Sequence, residues 1–109
     1  MKTFSHIVKI YVPSTTDTDR AADTSAYVES AARLLSSLFG GCTATTGRGC
    51  WVSESGALVA EDVTIVYAFG TRRAVRKARR ACVNFCETMR DELRQEAVSL
   101  EINGRLRFI

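Results

Sequence analysis

Apolar and polar positions alternate with period two at the start of the chain and switch to a helical period twice further on. Residues 4–12, FSHIVKIYV, predict a strand with Val8, Ile10 and Val12 on one side and Ile7, Lys9 and Tyr11 on the other. Pro13 ends it, because proline has no N–H to give to a ladder, and the polar loop PSTTDTDRAAD follows. Tyr27, Val28, Ala31, Leu34, Leu35 and Leu38 then recur at helical spacing, with Glu29, Ser30 and Arg33 between them. Asp23, Thr24 or Ser25 is the candidate N-cap, and Gly40-Gly41 is the stop.

The stretch 42–53, CTATTGRGCWVS, is β-prone but interrupted by Gly47-Arg48-Gly49, which predicts an irregular edge strand with a bulge or small hairpin. ALVAEDVTIVYAF, 57–69, is the strongest strand signal, with Val63, Ile65, Tyr67 and Phe69 on one face and Thr64, Val66 and Ala68 on the other. A second helix follows Gly70-Thr71, with an apolar stripe of Val75, Ala78, Cys82, Phe85, Cys86, Met89 and Leu93. AVSLEI, 97–102, reads as a strand, and Asn103-Gly104 is a type I′ hairpin signal that folds RLRFI back as a short extra strand.

The order β-α-β-β-α-β is the split βαβ of the ferredoxin-like α+β fold, with two helices on one face of an antiparallel sheet. One domain spans 1–109, since a chain of this length buries a single core. The other sheet face is expected to show Ile7, Lys9, Tyr11, Thr64, Val66, Ala68, Ser99 and Glu101. About half of that surface is apolar, which predicts a homodimer paired through it. Ile7, Lys9, Tyr11 and Val66 are its candidate contact residues.

Composition is that of an ordinary globular chain, 46% hydrophobic and 25% charged. The net charge of +3 is unevenly spread. Arg72, Arg73, Arg76, Lys77, Arg79 and Arg80 crowd into one segment with no acidic residue among them, and the rest of the chain is slightly acidic. Cations one turn apart repel, and they stand in the first half of a helix whose dipole prefers anions there. This electrostatic cost makes the six residues a candidate surface for an acidic protein patch or for nucleic acid, against the plainer reading of a solvated helix face. The N-terminus has no unbroken apolar run or small-residue cleavage site, and no segment is apolar enough to span a bilayer. A cytoplasmic protein without a membrane partner is expected, with its four cysteines reduced.

Other candidate chemistry is thin. Cys82 and Cys86 lie one helical turn apart, but no Cys-x-x-Cys exists and both fall on the apolar stripe, so core packing is the expectation and no metal or cofactor is assigned. His6 is the single histidine, and no G-x-S-x-G, P-loop or H-E-x-x-H accompanies it. No catalytic residue is assigned. Glu61 and Asp62 adjoin on a strand and point to opposite faces, so they are not a paired acid-base site. Trp51 is expected to pack on the edge strand. An RNA-recognition motif would need aromatics on its two central strands, and a metal chaperone a Cys-x-x-Cys after the first; neither pattern is present.

Phe39-Gly40-Gly41-Cys42-Thr43, Gly49-Cys50-Trp51, Gly56, Glu61 before VTIVYAF, and Gln95-Glu96-Ala97-Val98 follow one another in order. This pattern, from Leu38 to Ile109, resembles a family of small bacterial ferredoxin-like domains of unknown function. Read from the residues alone, Gln95 and Glu96 close the second helix and cap the Gly49–Trp51 turn. Isolated proteins of this look occur on phages and plasmids. By that analogy the basic helix face suggests a non-enzymatic accessory protein inhibiting a host nucleic-acid-targeting defence complex, an anti-CRISPR role included. The alternative is a small dimeric enzyme or small-molecule binder with a pocket at the open sheet face.

Overall fold

The computed structural model describes residues 1–109. The chain forms β1 (His6–Pro13), β2 (Thr15–Thr16), β3 (Arg20–Ala21), α1 (Ser25–Phe39), β4 (Thr43–Val52), β5 (Leu58–Gly70), α2 (Arg72–Glu92), β6 (Ser99–Ile102) and β7 (Arg105–Phe108). Five strands build one sheet in the order β4-β5-β1-β6-β7, every pair antiparallel. Both helices pack on one face, over Val8, Ile10, Val12, Val66, Ala68 and Leu100. The fold is the ferredoxin-like α+β arrangement. No helix is long and apolar enough to cross a membrane.

Local chemistry explains the boundaries. Gly40 ends α1 at φ 86°, in the left-handed region that glycine enters without a Cβ clash. The Thr71 side chain caps α2, accepting from Ala74 N at 3.1 Å. Asn103 and Gly104 both have positive φ, 53° and 80°, which makes the type I′ turn that joins β6 to β7. Gly70 is required by packing: a Cβ there would lie 2.6 Å from Cδ1 of Phe39. The α2 stripe sinks Val75, Ala78, Cys82, Cys86 and Met89 into the core. Burial pushes the Cys82 thiol up to about 11 and Cys86 to about 12.

Three expectations are corrected. β4 carries neither bulge nor internal hairpin; Thr43–Val52 pairs with β5 at every position through the Gly47-Arg48-Gly49 stretch. The loop after Pro13 is not featureless, because β2 and β3 pair as a miniature hairpin. Val66 belongs to the core, fully buried, and not to the open face. Its partner is Ile10, whereas Tyr11 pairs with Ile65, Lys9 with Tyr67 and Ile7 with Phe69. The open face of β5 is therefore Val63, Ile65, Tyr67 and Phe69. Central strands covered on one side and apolar on both give alternation no means of choosing a face.

Pro13 also shapes the molecule. β1 stops opposite Val63, but β5 extends back to Leu58, so its first residues pair with β4 alone. The result is a two-stranded arm closed by a turn in which Ser53 N donates to Ala57 O at 2.9 Å. The protein is accordingly elongated, 50 × 25 × 20 Å.

Candidate functional site

Where the arm leaves the sheet, a groove of about 380 Å³ opens on the face away from the helices. Tyr11 and Pro13 of β1, Val63 and Ile65 of β5, and Gly47, Gly49 and Trp51 of β4 form its walls. These residues share a face because their register aligns them: Gly47 with Val63, Gly49 with Glu61, Trp51 with Val59. Gly47 and Gly49 put no side chain above the sheet, which leaves room for a ligand. Trp51, expected to pack on the edge strand, is half exposed on the groove wall.

The polar part of the groove is assembled from three distant segments. The Thr15 hydroxyl donates to Glu61 Oε1 at 3.0 Å. Gln95 Nε2 donates both to the Thr15 backbone carbonyl at 3.0 Å and to Thr15 Oγ1 at 3.2 Å. Thr15 is buried, so these bonds face little competition from water. The β2–β3 hairpin is held in place from the same side, with Asp17 N and Thr16 Oγ1 both donating to Leu93 O. Gln95 N closes α2 by donating to Arg90 O, past Arg94 in a left-handed conformation. The sequence reading of Gln95 as a helix closer thus holds, but its side chain meets Thr15 and not the Gly49–Trp51 turn. One carboxylate oxygen of Glu61 and the amide oxygen of Gln95 are left without protein partners beside the groove.

Across the groove, Tyr11 Oη donates to Glu101 Oε1 at 2.8 Å, and Lys9 Nζ stands 3.8 Å from Oε2. Burial, together with this carboxylate, pushes the Tyr11 phenol up to about 12. Tyr11 is thus a neutral donor, and Glu101 is held by its two neighbours. Glu61 is the groove carboxylate with a free oxygen.

The candidate residues read from sequence fall in two places. Ile7, Lys9 and Tyr11 lie on the open face as expected, and Tyr11 lines the groove. Arg72, Arg73, Arg76, Lys77, Arg79 and Arg80 are exposed on α2, on the far side of the sheet. None of them is in an ion pair. His6, at the start of β1, is not part of the groove. Sequence reasoning missed Thr15, Glu61 and Gln95 as a set. The Glu61 and Gln95-Glu96 motifs of the family-like pattern were the signal that could have paired them.

No family model and no curated protein matches the chain. Among solved structures it is similar to a phage SAM lyase in complex with S-methyl-5'-thioadenosine, at TM-score 0.66 and 16% identity, covering 100% of this chain and 92% of that one. The apo state of a phage SAM lyase gives TM-score 0.61 and 14% identity, with 100% and 94% covered. A Bacillus cereus protein related to NIF3 gives TM-score 0.53 and 15% identity, over 89% of this chain and 24% of that one. The likeness is one of fold. It overturns the expectation of a non-enzymatic binding protein built around the arginine face. The whole chain shares its fold with those lyase structures, and its groove opens on the opposite face of the sheet from those arginines.

Proposed function

We propose that the protein is a small enzyme that binds S-adenosylmethionine in the open-face groove and cleaves a carbon–sulfur bond of its sulfonium, releasing S-methyl-5'-thioadenosine. The observation that carries this reading is the Glu61 carboxylate, held at the groove by Thr15, which Gln95 fixes in turn, in a chain that shares its fold along its whole length with a phage SAM lyase. A sulfonium is a cation, and the free oxygen of Glu61 supplies the matching charge, with Arg48 the one basic residue in the same lining. Trp51, Val63 and Ile65 offer an aromatic and aliphatic surface for the adenosyl part. The same apolar walls favour the reaction, because the sulfonium loses its charge as the bond breaks.

In that step the electron pair of the carbon–sulfur bond goes to sulfur, which becomes a neutral thioether. The departing four-carbon arm is satisfied by its own carboxylate, closing a lactone, or by loss of a proton from the neighbouring carbon to Glu61. Both routes balance without an oxidant or reductant. Tyr11, kept neutral, gives its one O–H to Glu101 and adds no charge to the groove.

A second copy of the chain is the proposed cover of the open face. Trp51, Phe69, Leu106 and Phe108 are large, apolar and about half exposed or more, and the strand registers put them on that one face. The test is incubation of the purified protein with S-adenosylmethionine, followed by chromatography and mass determination of both products. Formation of S-methyl-5'-thioadenosine, lost in Glu61→Gln, supports the reading. An intact substrate, with no binding of S-methyl-5'-thioadenosine by calorimetry, overturns it.

A further inference from the structure

We propose that the helix side of the sheet holds a second ligand site, one that binds an oligophosphate group. Two separate elements build it. Arg79 projects from α2, while Arg105 and Arg107 project from β7. Arg107 pairs with Leu100, a core residue, and Arg105 with Ile102, so both arginines stand on the helix side of the sheet and away from the groove. With Ile102 and Asn103, the three arginines line a notch of about 320 Å³. A neighbouring cavity of about 370 Å³, lined by Arg76, Arg79, Arg80 and Val83, shares Arg79 with it.

Eleven of the fifteen Lys and Arg residues have no carboxylate within ion-pair distance, and five of these eleven line the two cavities. Lys9, Arg33, Arg90 and Arg94 each have a carboxylate within ion-pair distance; Arg76, Arg79, Arg80, Arg105 and Arg107 have none. A concave surface lined by one sign of charge concentrates the field and the counter-ions with it. The planar guanidinium fork matches phosphate oxygens two at a time. A single carboxylate would neutralise one charge of five, whereas a run of linked phosphates carries several within the reach of both cavities.

The notch is also pre-shaped. The side-chain oxygen of Asn103 accepts from Ile7 N at 2.9 Å, and Asn103 N donates to Ile7 O at 3.0 Å. The turn that presents Arg105 is thereby pinned to β1, so little ordering remains for a ligand to impose. The six-residue basic run of the sequence is regrouped by the fold: Arg72, Arg73 and Lys77 line neither cavity, and β7 supplies two new members.

The test is calorimetric titration of inorganic triphosphate at physiological salt into the wild type and into the Arg79→Ala, Arg105→Ala, Arg107→Ala variant. All three positions are exposed, and circular dichroism verifies the fold. S-methyl-5'-thioadenosine, titrated into the same two proteins, reports on the groove separately. Saturable triphosphate binding, at least tenfold tighter than orthophosphate and at least tenfold weaker in the variant, is expected. No binding to the wild type, or equal binding to both proteins, overturns the site. So does an oligonucleotide that binds the wild type tenfold more tightly than triphosphate, which would make the surface a nucleic-acid track.

Discussion

Thr15 and Glu61 meet at 3.0 Å across the junction between the sheet and its protruding arm, although 46 residues separate them in the chain. The Thr15 hydroxyl has one proton, and it goes to the carboxylate. Its lone pair takes the Gln95 amide, which also holds the Thr15 carbonyl. Each partner thus fixes the next, and the free oxygen of Glu61 is aimed by a hydrogen-bonded chain.

This relation predicts an order of effects. Glu61→Gln keeps a similar shape and removes the charge, so turnover of S-adenosylmethionine falls by roughly 100-fold or more while the urea midpoint hardly moves. Thr15→Val leaves two half-buried partners without a hydroxyl and costs about 1 kcal/mol of stability. Thr15→Ser restores both bonds. Product formation and urea unfolding on the three variants check the order; wild-type turnover in Glu61→Gln would remove Glu61 from the chemistry.

Alkaline pH should loosen the sheet through Tyr11. Its phenol is pushed up to about 12 in the folded protein, from an unfolded value of ~10. The unfolded chain therefore loses this proton first. The contribution is complete below pH ~10 and fades as pH rises towards the folded value. Wild type should lose more stability than Tyr11→Phe over that window, measured by urea titration at successive pH values. Parallel curves for the two proteins would refute the assignment.

Thiol reactivity should be graded by burial. Cys50 is exposed on the arm and Cys42 is half-buried, while Cys82 and Cys86 are fully buried with raised pKa values. A maleimide should label Cys50 first, and Cys82 and Cys86 only on unfolding. Mass spectrometry of peptides from native and urea-treated protein gives the answer. Early labelling of Cys86 would contradict the packing of α2.

Gly70→Ala is expected to destabilise by about 1–3 kcal/mol, because the new methyl would press on the Phe39 ring. Phe39→Leu in the same chain should return part of that loss, since a smaller side chain vacates the space. The two single variants and the double variant, unfolded in urea, measure the coupling. Additive losses would show that the two residues do not meet.

The open face should set the oligomeric state. Leu106→Asp with Phe108→Asp places charge on exposed apolar positions without touching the core. The mass measured by light scattering should drop from that of an oligomer to that of one chain. A wild type that is already monomeric would refute a second copy as the cover.

Much of the fold was legible because it depends on neighbours in the chain. The period of Val8, Ile10 and Val12, the stripe from Val75 to Leu93, the Gly40 stop and the Asn103-Gly104 turn are each decided within a few residues. Cys82 and Cys86 were placed in the core on the same ground. The six basic residues of α2 lie on an exposed face, as their spacing implies. A charge run is visible in one dimension. A lone carboxylate with two distant partners is not.

The sequence by itself determined the two helices, the long strands, their order and the ferredoxin-like plan, because periodicity, caps and turns act over short range. Tertiary structure alone decided which face Val66 joins, since β5 is apolar on both sides and only its register with Ile10 separates them. It decided the arm, because β5 outruns a β1 that Pro13 cuts short. It also brought Glu61 and Gln95 to one groove, bridged by Thr15, and Arg79, Arg105 and Arg107 to one notch. Side-chain hydrogen bonds and fields act through space, so residues far apart in the chain share a site only once the sheet has aligned them.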